Sequence, residues 1–282
     1  MMYDTLVDPQ TLATHLGDPD WVVIDCRFDL ADHAAGERAY QAAHIPGAAY
    51  AHMEHVLSGP ITPSSGRHPL PDPQALCEWL GRHGIGTHTQ VAVYDHSGGA
   101  MAVRLWWLLR WLGHYRAALL DGGWPAWQAA GLPTEQQLPR FSTRPFCGGT
   151  PDDDMLLSTQ QIVAALGSDR WLLIDARTAE RYRGEHEPID PVAGHIPGAI
   201  NLPLQQHLNE DGSFKSAQQL RDLYLPLIGE RPLHDVAVMC GSGVTACHNL
   251  LALEIAGLHG ARLYAGSWSE WIRDPQRPLA SG

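Results

Sequence analysis

The sequence predicts an α/β fold used twice in tandem, each copy a parallel sheet flanked by helices on both faces. Two observations predict it. Short apolar runs alternate with helical segments, the pattern of parallel strands joined by crossover helices. Four segments also recur in the same order roughly 150 residues later. WVVIDCR, Trp21 to Arg27, returns as WLLIDAR, Trp171 to Arg177, and AHIPGA, Ala43 to Ala48, returns as GHIPGA, Gly194 to Ala199. VAVYD, Val91 to Asp95, returns as VAVMC, Val236 to Cys240, and LLDGGWPAW, Leu119 to Trp127, returns as LYAGSWSEW, Leu263 to Trp271. The boundaries that follow are a first copy over 1–135, a linker over 136–153 marked by Pro139, Pro145 and Pro151, and a second copy over 154–282.

Each copy reads the same way in order. Asp8-Pro9 opens a helix over 10–16, and Ser158 opens its twin over 159–166. A strand follows at 21–25 and at 171–175. The His-Ile-Pro-Gly-Ala turn then feeds a short strand near 48–51 and 199–202. After a helix comes the central strand, a loop, and a further helix, which spans 244–256 in the second copy until Gly257 stops it. The last strand covers 117–120 and 261–264, and a Gly-Gly-Trp or Gly-Ser-Trp turn leads into a short closing helix.

Composition narrows the function. The 282 residues carry 19 basic and 31 acidic side chains, a formal net charge of −12, which argues against a nucleic-acid partner. The amino-terminal residues lack the basic and apolar regions of a signal peptide, and the most apolar run, 102–113, is broken by Arg104 and Arg110 and too short for a bilayer span. No membrane partner is expected. The five cysteines, at 26, 77, 147, 240 and 247, have no metal-ligand spacing and cannot all pair, which favours a reducing cytoplasm. Cys26, Cys77 and Cys147 read as inert.

Cys240 follows four apolar residues and precedes Gly241-Ser242-Gly243, so it stands at the carboxyl end of a strand in a loop that opens a helix. Ligands of parallel α/β sheets bind at that end. Unpaired N–H groups and the helix dipole favour an anion there, and the thiolate is the nucleophilic form of cysteine. Gly241 and Gly243 let the backbone curl round the sulfur. On the local pattern alone, a nucleophile and a buried packing thiol fit equally. The duplication separates them. The first copy has Asp95 at this place and is read as catalytically inactive, while the second keeps the thiol.

These motifs together resemble the two-domain rhodanese-type sulfurtransferases. The resemblance rests on Asp175-Ala-Arg, His195-Ile-Pro-Gly-Ala, Cys240-Gly-Ser-Gly-Val-Thr-Ala and Gly266-Ser-Trp-Ser-Glu-Trp, and it covers nearly the whole chain. It implies two rhodanese-like domains, the first inactive, and a Cys240 persulfide that carries sulfur from a donor to a thiol, cyanide or thioredoxin-like acceptor. No cofactor and no metal are implied. The neutral loop Gly241-Ser242-Gly243-Val244-Thr245 looks like the 3-mercaptopyruvate branch, whose donor is a monocarboxylate, rather than the thiosulfate branch with its basic loop. Loop residues 241 and 243–245 are expected to face the donor. By the same resemblance Arg181 would bind the carboxylate, with a surface arginine as the other reading. Ser242 would hydrogen-bond the substrate or assist proton transfer, against a mere turn serine, and His68 would relay a proton, against a surface-loop histidine. The branch often carries a further arginine in Glu-Pro-Arg, where this chain has Glu187-Pro188-Ile189, and Arg183 is a candidate replacement.

Arg177, His44 and His195 sit in segments kept by both copies and read as structural. Cys247 reads as packing, with a redox partner as the other possibility. Three other functions compete with this reading. Thiosulfate:cyanide transfer would use the same cysteine. A persulfide carrier would not turn over a small donor. Phosphate-ester hydrolysis needs an arginine six residues after the cysteine, and that position is Ala246.

Overall fold

The computed structural model describes residues 2–146 and 148–282, so Cys147 lies outside the described residues. The chain divides into two compact units. The first takes the chain up to Gly59, Pro71–Asp152 and Leu208–Phe214, and the second takes Pro60–Leu70, Asp153–His207 and Lys215–Gly282. The loop 60–70 therefore folds with the second repeat although it lies in the first by sequence.

The first unit holds a five-stranded sheet of β1 Leu6–Val7, β2 Trp21–Asp25, β3 Ala49–Tyr50, β4 Gln90–Tyr94 and β5 Ala117–Leu120, in the order β1-β5-β4-β2-β3. The second holds β6 Leu172–Asp175, β7 Ile200–Asn201, β8 Val236–Met239 and β9 Arg262–Leu263, in the order β7-β6-β8-β9. Every pairing is parallel. The predicted α/β architecture is what the chain adopts. Strand β1 is not among the expected strands, because two residues carry no periodicity. It extends the sheet by pairing Leu6 with Leu119 and Val7 with Leu120.

The first helix of each unit is capped as its sequence predicts. The Asp8 side chain accepts from Thr11 N–H at 2.9 Å, and Ser158 forms a capping box with Gln161. Both helices end before the predicted limits, at Thr14 and Ala164. The next residues tighten into three-residue turns, with His15 N–H donating to Leu12 C=O at 3.0 Å and Ala165 N–H to Ile162 C=O at 3.1 Å. Gly17 and Gly167 then adopt φ of 80° and 76° and turn the chain away.

Helices Val103–Trp111 and Ala246–Ile255 follow the central strands, and almost every residue of either is buried. A helix buried on nearly every face belongs inside a layered fold. Tyr94, Trp124 and Trp127 fill one core, with Met239, Trp268 and Trp271 at the matching places in the other. Among the described residues no helix is long and apolar enough to cross a membrane. Among them, too, no group of three or more His, Cys, Asp or Glu residues is arranged to hold a metal ion.

Candidate active site

Strand β8 ends at Met239, which pairs with Asp175 of β6, so Cys240 emerges at the carboxyl edge of the sheet. The helix begins at Ala246, two residues later than the sequence predicts, because Val244 and Thr245 still belong to the loop. Gly243 makes that loop possible. Its φ is 77°, and a Cβ there would lie 2.2 Å from the Ala265 carbonyl oxygen. The Cys240 sulfur accepts from Gly243 N–H at 3.2 Å, and the residue is only 2 % exposed.

A second loop fastens the cysteine from behind. Cys240 N–H donates to Ser267 Oγ at 3.0 Å, and that hydroxyl donates to Tyr264 C=O at 2.9 Å. Trp268 N–H and Ser269 N–H donate to the carbonyls of Cys240 and Gly241 at 3.0 and 2.9 Å. Ser267 has φ of 54°, the one positive value on a non-glycine residue among the described residues, and its counterpart Gly123 has φ of 58°. Serine is held in a glycine conformation where its hydroxyl meets the Cys240 backbone.

The first unit shows what such a loop does with an anion. The Asp95 carboxylate accepts from the N–H groups of Ser97, Gly99, Met101 and Ala102 at 2.8, 2.9, 2.7 and 2.8 Å. The matching positions in the second unit are Ser242, Val244, Ala246 and Cys247. Cys247 itself is buried, and its thiol hydrogen bonds to the Gly243 carbonyl at 3.5 Å. Cys26, Cys77, Cys240 and Cys247 are all free thiols. Burial together with Asp25 and Asp95 pushes the Cys26 thiol well up, which leaves it protonated and unreactive.

His68 lies in the loop 60–70 of this unit. It is buried, and its Nδ1 is 2.7 Å from Ser242 Oγ. His68 is therefore not a surface-loop histidine, and Ser242 has a side-chain partner. Which atom holds the proton depends on the imidazole tautomer. The loop is stitched down by Arg67 N–H to Ser269 Oγ at 3.0 Å and by Arg273 Nε–H to Ser65 C=O at 3.1 Å. A methyl on Gly66 would stand 2.6 Å from Gly266 O.

The side of the site that carries Arg181 is an alternating chain of charges. Asp175 receives Arg177 Nε–H and Nη2–H, and Arg177 Nη1–H reaches Glu187 at 3.3 Å. Glu187 receives Arg181 Nε–H at 3.0 Å, while Arg181 Nη2–H donates to Asp190 at 3.1 Å. Asp190 also receives Arg67 Nη1–H. Arg67 and Arg181 each bring Nη2 over Gly241, at 3.0 and 3.3 Å from where a Cβ would stand. Arg181 therefore lies beside the loop that carries Cys240. Arg67 was missed, and nothing in its local pattern marks it. Arg183 does not take the place open at 189, since it pairs with Glu185 at 2.7 Å in solvent. Arg177 and His195 repeat the geometry of Arg27 and His44, each arginine donating to a carbonyl at 2.7 Å.

The rhodanese-like domain model matches residues 8–130 and again 158–274. The chain belongs to the rhodanese family. A probable 3-mercaptopyruvate sulfurtransferase of Pseudomonas aeruginosa is 48% identical over 279 residues, 98% of either chain. A putative thiosulfate sulfurtransferase of Mycobacterium tuberculosis is 40% identical over 270 residues, covering 94% of this chain and 92% of its own. Among solved structures, the 3-mercaptopyruvate sulfurtransferase of Leishmania major superposes with a TM-score of 0.83 at 32% identity, over 96% of this chain and 76% of its own. The rhodanese repeat accounts for the paired motifs, and the loop after β8 is where the two copies part chemically.

Proposed function

We propose that this protein is a 3-mercaptopyruvate sulfurtransferase working through a persulfide on Cys240. One observation carries the reading. The loop that holds a carboxylate with four backbone N–H groups in the first unit holds a cysteine in the second. Such a cradle suits an anionic sulfur nucleophile and the persulfide it becomes.

The Cys240 thiolate attacks the sulfur of 3-mercaptopyruvate, forming an S–S bond as the donor's C–S bond breaks. The bonding pair leaves on pyruvate as its enolate, which takes a proton at carbon, with Ser242 and His68 as the residues that help deliver it. The N–H groups at 242, 244 and 246 stabilise the outer sulfur. A thiol, cyanide or a thioredoxin-like protein then attacks that sulfur and restores Cys240. Arg181 receives the donor carboxylate, a group that a guanidinium matches in two parallel hydrogen bonds. An unpaired working thiol persists in a reducing compartment, so we assign the protein to the cytoplasm. Thiosulfate transfer is the second reading, favoured by the Mycobacterium tuberculosis relative.

A paired steady-state assay of mercaptopyruvate against thiosulfate tests this, using wild type and Cys240→Ser. The expected result is a mercaptopyruvate kcat/KM at least about tenfold higher, about 1.4 kcal/mol of transition-state preference, with an inactive variant. A preference for thiosulfate, or turnover by Cys240→Ser, would sink the proposal.

A further inference from the structure

The carboxylate side of the site contains two guanidiniums where the sequence points to one. Arg67 comes from the loop 60–70, and Ser269 Oγ holds its backbone N–H. Its Nη2 stands beside Arg181 Nη2 above Gly241, the residue next to the reactive sulfur. A side chain on Gly241 would fill that space. The Arg67 Nε is buried, and among the described residues it has no hydrogen-bond acceptor. A buried guanidinium N–H without an acceptor is costly, so one is expected to arrive with a ligand. Burial pulls this guanidinium below the ordinary arginine value, and the charge on Cys240 is the largest influence opposing that pull.

Asp190 aims the pair. One of its oxygens accepts from Arg67 and the other from Arg181, and its side chain is 2 % exposed. The adjoining Ile189 is 40% exposed. Three arginines, 67, 177 and 181, face three carboxylates, 175, 187 and 190, so this side of the site is formally neutral before Cys240 ionises. A neutral array with two forks aimed at one point suits a planar monocarboxylate and offers a dianion no excess of cation.

We propose that Arg67, oriented by Asp190, is a carboxylate-binding residue that shares the donor carboxylate with Arg181 and sets the preference for a monocarboxylate donor. The proposal rests on the mercaptopyruvate reading above, and its test includes a readout independent of turnover.

That readout is alkylation of Cys240, followed by peptide mass, with iodoacetate and iodoacetamide. The two reagents share a reacting carbon and differ in the carboxylate. Arg67→Met is expected to lower the iodoacetate-to-iodoacetamide rate ratio at Cys240 by about fivefold or more, and Arg67→Lys to restore part of it, because charge returns without the planar fork. In turnover, Arg67→Met raises KM for mercaptopyruvate by about tenfold, more than it lowers kcat, as expected for lost binding. Asp190→Asn moves both measures the same way by a smaller factor. If Arg181→Met lowers the ratio and Arg67→Met, folded by circular dichroism, does not, Arg67 is no carboxylate ligand while the functional reading survives. If wild type turns over neither donor yet the ratio still falls in Arg67→Met, the functional reading fails and the assignment of Arg67 holds. Should Arg67→Met not fold, the lysine variant decides, and an unchanged ratio and KM there overturn the proposal.

Discussion

Ser267 sits in a left-handed conformation that its repeat partner reaches with a glycine, and the hydroxyl is the evident reason. Replacing it by alanine leaves the buried Cys240 N–H without an acceptor, at about 1–3 kcal/mol, and keeps the backbone strain. Glycine loses the same bond but relieves the strain, about 1 kcal/mol. Urea midpoints should therefore rank wild type, then Ser267→Gly, then Ser267→Ala, with sulfur transfer reduced in both. Equal midpoints for the two variants would show that the conformation stores nothing. Gly243 is stricter, because its Cβ would enter the Ala265 backbone. Gly243→Ala is expected to lose more than about 1 kcal/mol and most of its activity.

At the scale of elements, each unit carries the same buried clasp. The aspartate that ends β2 or β6 holds an arginine two residues on, and that arginine ties the strand end to the His-Ile-Pro-Gly turn and lies over a tryptophan at 4.6 or 4.8 Å. Removing one partner of a buried pair costs about 3–5 kcal/mol, so Asp25→Asn and Asp175→Asn should lower stability alike. Their effects on catalysis should differ. In the second unit the clasp continues through Glu187 to Arg181. Asp175→Asn should therefore raise the donor KM, while Asp25→Asn leaves it near wild type. Matching KM changes in the two variants would mean that the clasp does not position Arg181.

Over the whole molecule, each unit keeps a buried histidine neutral. Burial lowers His114 in the first unit and, with the neighbouring His248, takes His207 well below the ordinary value in the second. The unfolded chain binds a proton on each below about pH 6.5, and the folded chain binds it only in more acid solution. The unfolded state then holds more protons, so stability is fully present above that pH and falls as the solution becomes more acid. Melting temperature should drop below about pH 6.5, and His207→Asn should flatten part of the drop. An unchanged acid limb in that variant would count against His207 as a source.

The duplication, the parallel α/β class, the capped first helices and the edge position of Cys240 were all legible in the sequence. They depend on patterns within short windows, and here two copies could be read against each other. Arg181, Ser242 and His68 were singled out only through the family resemblance, and the contact between His68 and Ser242 was not legible at all. Strand β1 was lost because two residues lack a period. Three features were decided by tertiary structure alone: the loop 60–70 joining the second unit, Arg67 over Gly241, and Asp190 between two guanidiniums. Each joins residues more than a hundred positions apart, or depends on which way a side chain points. A linear pattern records neither, because long-range packing and charge neutralisation exist only once the chain has closed on itself.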